Sequence, residues 1–277
     1  TIAPLLLISF VAATTDYFLL PENFFLHKGD KLSVRLFMGI FPATETGYQS
    51  PEAGEGKFVL YDGSKKIDIA TQETDTVVAI KDYVTENSGL LLLHLSQAPV
   101  THEVDKDEFE THLTEESQAE LAKRVSKSRR AASLKEKYTR YMKTLVRVDK
   151  PSGNTYEKLI GDEYEIILKN NPYKVNYGDD ITAVVYFKGK PLPEEQFYLY
   201  IKTATGNIHP QKLITDADGQ VFFKLSREGI YMLRTAHTEA ATNKDADFET
   251  WWASFSFAFS SANELPNTYK EFGFDVH

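Results

Sequence analysis

Lys28-Gly29-Asp30-Lys31-Leu32-Ser33-Val34-Arg35-Leu36 and, 149 positions later, Tyr177-Gly178-Asp179-Asp180-Ile181-Thr182-Ala183-Val184-Val185 open two strands in the same way. In each, a Gly-Asp pair suited to a tight turn leads into a run where Leu32, Val34 and Leu36, or Ile181, Ala183 and Val185, recur at every second position. That is the period of a half-buried strand. The upstream residues match too, with Phe24 and Leu26 before the first turn and Tyr173 and Val175 before the second. A unit repeated in the two halves of a chain points to two related β-sandwich domains rather than one enzyme fold.

The composition fits that expectation. A chain of 277 residues has room for two cores. Hydrophobic residues make up 42%, too many for a disordered chain, and 15 Tyr and 18 Phe favour strands that bury aromatic rings. The formal charge of −9 argues against nucleic-acid binding, which needs excess Lys and Arg to displace counterions from phosphates. The absence of cysteine removes disulfides, thiolate zinc sites, Cys nucleophiles and lipoprotein acylation together.

Ile2 to Ala13 is apolar and uncharged and ends in Val11-Ala12-Ala13, small residues suited to signal peptidase. The reading is a signal remnant at residues 1–13, with the charged segment expected before it belonging to a longer precursor, and a mature chain from about Thr14. No later run reaches the roughly 20 apolar residues of a membrane helix. The expected location is the bacterial periplasm or the outside of the cell, without a transmembrane helix in the mature chain.

Strand-like runs at Asp16–Leu19, Phe24–His27, Lys31–Phe37, Lys57–Tyr61, Ile67–Ala70, Val77–Ile80 and Leu90–Leu95 place a first sandwich at residues 14–104. Residues 44–56, rich in Gly, Thr and Glu, read as a loop. Further runs at Tyr164–Lys169, Ile181–Phe187, Phe197–Lys202, Gln211–Thr215, Gln220–Leu225, Ile230–His237 and Trp251–Phe257 place a second sandwich at residues 151–259, followed by a tail at 260–277. Between them, Leu121 and Val125, then Leu134, Tyr138, Met142 and Leu145, recur at three- or four-residue spacing. That spacing predicts two amphipathic helices in an insert at 105–150, with Thr114-Glu115-Glu116 as a helix start. The fold class expected is all-β: two immunoglobulin-like β-sandwich domains with an α-helical insert between them.

The insert is acidic first and basic later, the basic part including Arg129, Arg130 and Lys135. Two readings compete: a basic face for an anionic partner, and a helix pair whose two arms neutralise each other. Asp216-Ala217-Asp218-Gly219 begins like a calcium loop, but its Gly comes at the fourth position instead of the sixth and Arg227 holds the twelfth; a hairpin turn explains it as well. No nucleophile elbow, zinc-protease helix, phosphate loop or dinucleotide fingerprint is present, so the expectation is no enzyme. His237 and Glu239 share one strand face, with Asp247 shortly beyond; imidazole plus carboxylates suits a divalent transition metal such as nickel, cobalt, copper or zinc. The other histidines are scattered. Trp251 and Trp252 must face opposite sides of a strand, so one ring belongs to the core. The other either packs beneath the tail or between the domains or, with Trp251 as the candidate, offers a platform for a partner or a sugar.

Three segments carry a family resemblance. Asp16-Tyr17-Phe18-Leu19-Leu20-Pro21, Glu136-Lys137-Tyr138-Thr139-Arg140-Tyr141-Met142-Lys143, and Tyr231–His237 with Asp247–Phe257 are similar to the mature start, a central stretch and the closing strands of a bacterial family of secreted proteins of unknown function. That family is related to the periplasmic component of nickel/cobalt uptake transporters. The resemblance implies two immunoglobulin-like sandwiches, a periplasmic location and, for the transporter relatives, metal capture by histidines near the mature N-terminus. Thr15 stands where the family start has His, and His237 is the histidine that matches.

Together these readings lead to a non-enzymatic envelope protein that binds a ligand, with a transition metal at His237, Glu239 and Asp247 as first candidate. The alternative is a structural or accessory subunit docking on another envelope protein or a transporter through Arg129, Arg130, Lys135 and Trp251.

Overall fold

The computed structural model describes residues 16–39, 41, 56–69, 78–128 and 132–262. The segment read as a signal, Thr15, most of the 44–56 loop, Arg129, Arg130 and most of the tail lie outside the described residues. In chain order the strands are β1 (Asp16–Pro21), β2 (Phe25–Leu26), β3 (Lys31–Gly39), β4 (Gly56–Asp62), β5 (Lys65–Ile69), β6 (Val78–Val84), β7 (Gly89–Gln97) and β8 (Val100–Asp105). Two helices follow, α1 (Lys106–Glu115) and α2 (Ala119–Lys127). The chain continues as β9 (Ser133–Val148), β10 (Tyr164–Leu168), β11 (Asp180–Phe187), β12 (Lys190–Pro191), β13 (Gln196–Lys202), β14 (Ile208–Ile214), β15 (Gln220–Lys224), β16 (Gly229–Ala240) and β17 (Phe248–Phe259).

The sequence repeat is a structural repeat down to individual hydrogen bonds. Gly29 and Gly178 hold φ of 95° and 88°, a left-handed backbone that favours glycine. Asp30 Oδ2 accepts from His27 N and Asp179 Oδ2 from Asn176 N, both at 2.7 Å. The next connections repeat as well: Gly29 N donates to Thr85 O and Gly178 N to Leu225 O, at 2.8 and 2.9 Å. Each side-chain carboxylate thus closes its own turn and launches a strand, β3 or β11, that pairs with β1 and β6 or with β10 and β15.

These two small sheets lie over one large one, whose strand order is β14-β13-β16-β17-β9-β7-β4-β5, with β2 and β8 also on β9. The two immunoglobulin-like sandwiches therefore share a sheet, joined where β17 runs parallel to β9 from Phe248↔Glu136 to Ser256↔Thr144. Their small sheets cover opposite faces of it. Leu91, Leu93 and Leu95 of β7 pack with Leu19, Leu32, Val34 and Leu36, whereas Leu90 and Leu92 pack with Tyr164, Ile166 and Ile181. A strand covered on both sides reads as an unbroken apolar run, which is why Leu90–Leu95 shows no alternation.

Residues 133–148 correct the expected second helix: they form the 16-residue strand β9, and the helical part of the insert is confined to 106–127. A spacing of four is also two strand periods, so Leu134 and Met142 share a face in a strand as they would in a helix. Leu145, at an odd offset, lies on the opposite face in the second sandwich's core. Thr139, Thr144, Val146 and Val148, with Tyr138 and Tyr141, supply the β-branched and aromatic content that favours a strand. Thr114 also proves to sit near the end of α1, which starts at Lys106 with Asp105 as cap, its side chain accepting from Asp107 N and Glu108 N. The Asp216 turn is a hairpin turn, with Asp216 Oδ1 accepting from Asp218 N and Gln220 N at 2.9 Å.

The helix pair seals its own small core of Phe109, Leu113, Ala122, Val125 and Leu134. It docks on the shared sheet where α1 ends: Glu115 O accepts from Gln196 Nε2, Tyr198 Oη and Lys212 Nζ at 2.9, 2.7 and 3.3 Å. Those donors meet the negative end of the helix dipole. Gln118 then pairs with β16 as a strand backbone would, donating to Ala236 O and accepting from Thr238 N. Beneath the joint His112 is half-buried, stacked on Trp252 at 5.1 Å, with both ring nitrogens enclosed and neither hydrogen-bonded.

Burial lowers the His112 pKa to about 4 from 6.5. A folded pKa below the unfolded one means stability that is complete above pH 6.5 and is lost as pH falls toward 4, by about 3 kcal/mol at 1.36 kcal/mol per unit. His112→Phe keeps the ring stack and removes the titration. The variant should therefore melt above the native chain by a margin that grows on acidification, as thermal melts at neutral and mildly acidic pH will read.

Candidate functional site

β9 and β17 place polar side chains side by side on the face of the shared sheet that carries the second sandwich. Lys137 stands opposite Glu249 and Thr139 opposite Trp251, and the sheet continues through Tyr141↔Ser96 and Ser96↔Lys57. Residues 161–163, leading into β10, overhang this row. Trp251 Nε1 donates to Glu163 Oε2 at 2.7 Å, which ties the overhang to the sheet. Between the overhang, the β7–β8 connection and the start of β4 lies a cleft of about 570 Å³, lined by Lys57, Ser96, Gln97, Pro99, Lys137, Thr139, Tyr141, Asp162, Glu163, Glu249 and Trp251 among others. Its size falls within the range of small-molecule sites.

The overhang is anchored from below by a buried ion pair. Lys143 Nζ lies 2.5 Å from Glu165 Oε1, and both side chains are 2% exposed. Glu165 also accepts from Ile160 N and Gly161 N at 2.6 and 3.1 Å, while Lys143 donates to Ile166 O at 3.0 Å. Burial lowers the Lys143 pKa, and the Glu165 carboxylate opposes that shift. Beside this pair, buried His94 of β7 brings Nε2 within 2.6 Å of Asp162 Oδ2, outside hydrogen-bond alignment. Burial first, then the charges of Asp162 and Glu163, push the Tyr141 phenol well above its ordinary range.

The residues singled out in the sequence fall in three places. Trp251 is in the cleft wall, 4% exposed, and Trp252 faces the other way, under the helix pair. His237, opposite Trp251 on β16, is half-buried with Nδ1 2.7 Å from Glu195 Oε2 and Nε2 3.8 Å from Glu239 Oε1. Glu239 is paired in turn with Lys188, 2.9 Å away. Asp247 does not join them: its Oδ2 accepts from Lys135 N at 3.0 Å and its own N donates to Lys135 O, stapling the start of β9. Lys135 is exposed. Among the described residues no group of three or more His, Cys, Asp or Glu side chains is arranged to hold a metal ion; of the expected set, His237 lies beside Glu239 and pairs with Glu195, and Asp247 stands apart.

Sequence reasoning missed Lys57, Gln97, Lys137, Thr139, Tyr141, Asp162 and Glu163. Three of these sit on β9, and reading that segment as a helix scattered Lys137, Thr139 and Tyr141 around an axis. Read with period two, they fall on one face.

Among solved structures the chain is similar to a tetra-tandem repeat in the extending region of a large adhesion protein, with 10% identity, 90% of this chain and 50% of that one covered, and a TM-score of 0.23. It spans about half the length of that structure. The D0-D1 domain of intimin gives 10% identity over 87% of this chain and 97% of that one at a TM-score of 0.22. A putative membrane anchored protein from Corynebacterium diphtheriae gives 11% identity over 91% and 61% at 0.21. At these scores the likeness adds nothing to the strand pairing described above. No curated protein matches the chain. Among the described residues no helix is long and apolar enough to cross a membrane. The model of the family described as a domain of unknown function, DUF4198, matches residues 12–239, and the chain belongs to that family.

Proposed function

We propose that this chain is a non-enzymatic ligand-binding protein of the bacterial envelope, and that its ligand occupies the cleft beneath residues 161–163. One observation carries the reading: a cleft of about 570 Å³ whose polar lining is fixed from below by the buried Lys143–Glu165 pair. A site organised before the ligand arrives loses less on binding. The signal-like residues 1–13 and the secreted-family resemblance support the envelope location. The nickel/cobalt relationship rests on that resemblance and supports a second reading, in which His237, already between Glu195 and Glu239, contributes to a transition-metal site.

Thermal melts of residues 14–277 against sugars, amino acids, short peptides and nickel or zinc ions test both. A ligand at 100 times its Kd adds about 2.7 kcal/mol to the folded state. Ser96→Trp, which fills the cleft from β7, should abolish the shift while leaving the unliganded melt near native. A shift that survives Ser96→Trp and disappears in His237→Ala moves the ligand to His237. If no probe shifts the melt, the cleft reading fails.

A further inference from the structure

Arg140 stands on the face of β9 turned away from the cleft, beside Trp252 and on the side that carries the helix pair, because alternate residues of a strand point to opposite faces. Its guanidinium carbon lies 3.8 Å from the centre of the Tyr17 ring on β1 and 4.0 Å from that of Tyr138, two residues before it on β9. Two ring faces hold the cation in place and take it partly out of water. A ring face attracts the charge but supplies no carboxylate to the N–H groups. Elsewhere on the sheet Arg234 is met by Asp16 and Glu116, and Arg147 donates to Asp149 O. Among the described residues Arg140 contacts these two rings and has neither a carboxylate partner nor a hydrogen-bond acceptor. The side chain is half-buried, and its nitrogens are not among the enclosed unpaired atoms, so a solute can reach them.

Beside the guanidinium a pocket of about 10 Å³ is lined by Tyr17, Arg140, Trp252 and Ser254, together with the buried Asp16 and Arg234. That is room for one atom the size of a water oxygen. Asp16 lies 2.8 Å from Arg234 and is taken up by it, so it does not neutralise Arg140. Glu136, two strand periods away on the same face, lies 2.7 Å from His102. A guanidinium left with open N–H groups matches a carboxylate, which accepts two parallel bonds in one plane. A flat group suits a cation with rings against it and an adjoining pocket that admits one oxygen. A tetrahedral phosphate would bring a further oxygen out of that plane.

We infer that Arg140 is a receptor for a carboxylate group, on the face of the shared sheet opposite the cleft and independent of any ligand held there. The test is an NMR titration of residues 14–277 with sodium acetate and with inorganic phosphate, against sodium chloride of equal ionic strength. The reporters are the Arg140 Nε–H signal, assigned by its loss in Arg140→Lys, and the indole N–H signal of Trp252. Acetate should shift both signals saturably and at lower concentration than phosphate, while chloride should give only a shallow, unsaturated drift from screening. Arg140→Lys keeps the charge and its attraction to the rings but loses the planar fork. It should melt near native and weaken the acetate response of Trp252 at least about ten-fold. Ser96→Trp, which fills the cleft, should leave the response unchanged. Equal responses to acetate and chloride, or a response kept in full by Arg140→Lys, overturn the inference and leave Arg140 as a cation that ties β1 to β9. A phosphate response as strong as that to acetate overturns the choice of carboxylate, and loss of the response in Ser96→Trp overturns the site by moving it to the cleft.

Discussion

Arg234→Met should destabilise the protein by on the order of 3–5 kcal/mol, measured by urea unfolding at neutral pH. Arg234 rises from β16 into a buried site between two carboxylates: Nε is 2.8 Å from Asp16 Oδ1, Nη1 contacts Glu116 Oε1, and the guanidinium lies 4.0 Å from the Tyr198 ring centre. One cation thereby binds together the first described residue of β1, the end of α1 and the shared sheet. Methionine would keep the volume but strand two buried acids. Even with the arginine present, burial raises the Asp16 pKa to about 6, with Arg234 opposing and Glu116 reinforcing the shift. An acid whose pKa is raised by folding binds more protons when folded, so its contribution falls as pH rises from 3.8 to about 6. The deficit of the variant should accordingly be greater at neutral pH than near pH 5. Adding Asp16→Asn and Glu116→Gln should recover part of it; an Arg234→Met chain as stable as native at neutral pH would show that the carboxylates are not held by this arginine.

Lys143→Met is expected to cost a similar 3–5 kcal/mol, again because it leaves a buried charge without its partner. The second consequence separates it from Arg234. Glu165 holds Ile160 N and Gly161 N, so a carboxylate that takes up a proton or turns away loosens the overhang that carries Asp162 and Glu163. Ligand affinity at the cleft should fall together with stability in Lys143→Met, whereas Arg234→Met should leave affinity unchanged in the fraction that remains folded. Pairing Lys143→Met with Glu165→Leu should recover stability, since an apolar pair of similar volume often replaces a buried ion pair without loss, but not affinity, because the two backbone donors lose their acceptor. Calorimetry on the single and double variants reads the difference.

The repeated turns made the sandwiches legible. Gly29-Asp30 and Gly178-Asp179 encode their geometry locally, in a left-handed glycine and a carboxylate that reaches back three residues, so no knowledge of distant partners is needed. β9 was not legible, because Leu134, Tyr138 and Met142 satisfy both periods and the surrounding charges look like a solvated helix. Its partners, β7 before it and β17 more than a hundred residues after it, decide the matter. The cleft depends on that strand and was hidden with it. Asp162 and Glu163 gave no local signal at all, since their placement comes from Glu165 and Lys143 on separate elements. His237 was legible as a polar residue with a carboxylate partner, but that partner is Glu195, 42 positions away, and sequence spacing favoured Glu239 and Asp247 instead.

The parallel junction also dictates an order of assembly. β9 is complete once residue 148 has been made, yet the edge that meets β17 stays bare until residues 248–256 follow. A chain that emerges from its N-terminus must carry an open strand edge through the whole synthesis or export of its second half, and unpaired edges invite pairing with other chains. Lys135, Lys137, Arg140 and Lys143 along β9 are charges of the kind that discourage such pairing. The basic residues of this strand are thus placed where they would guard that edge until β17 covers it.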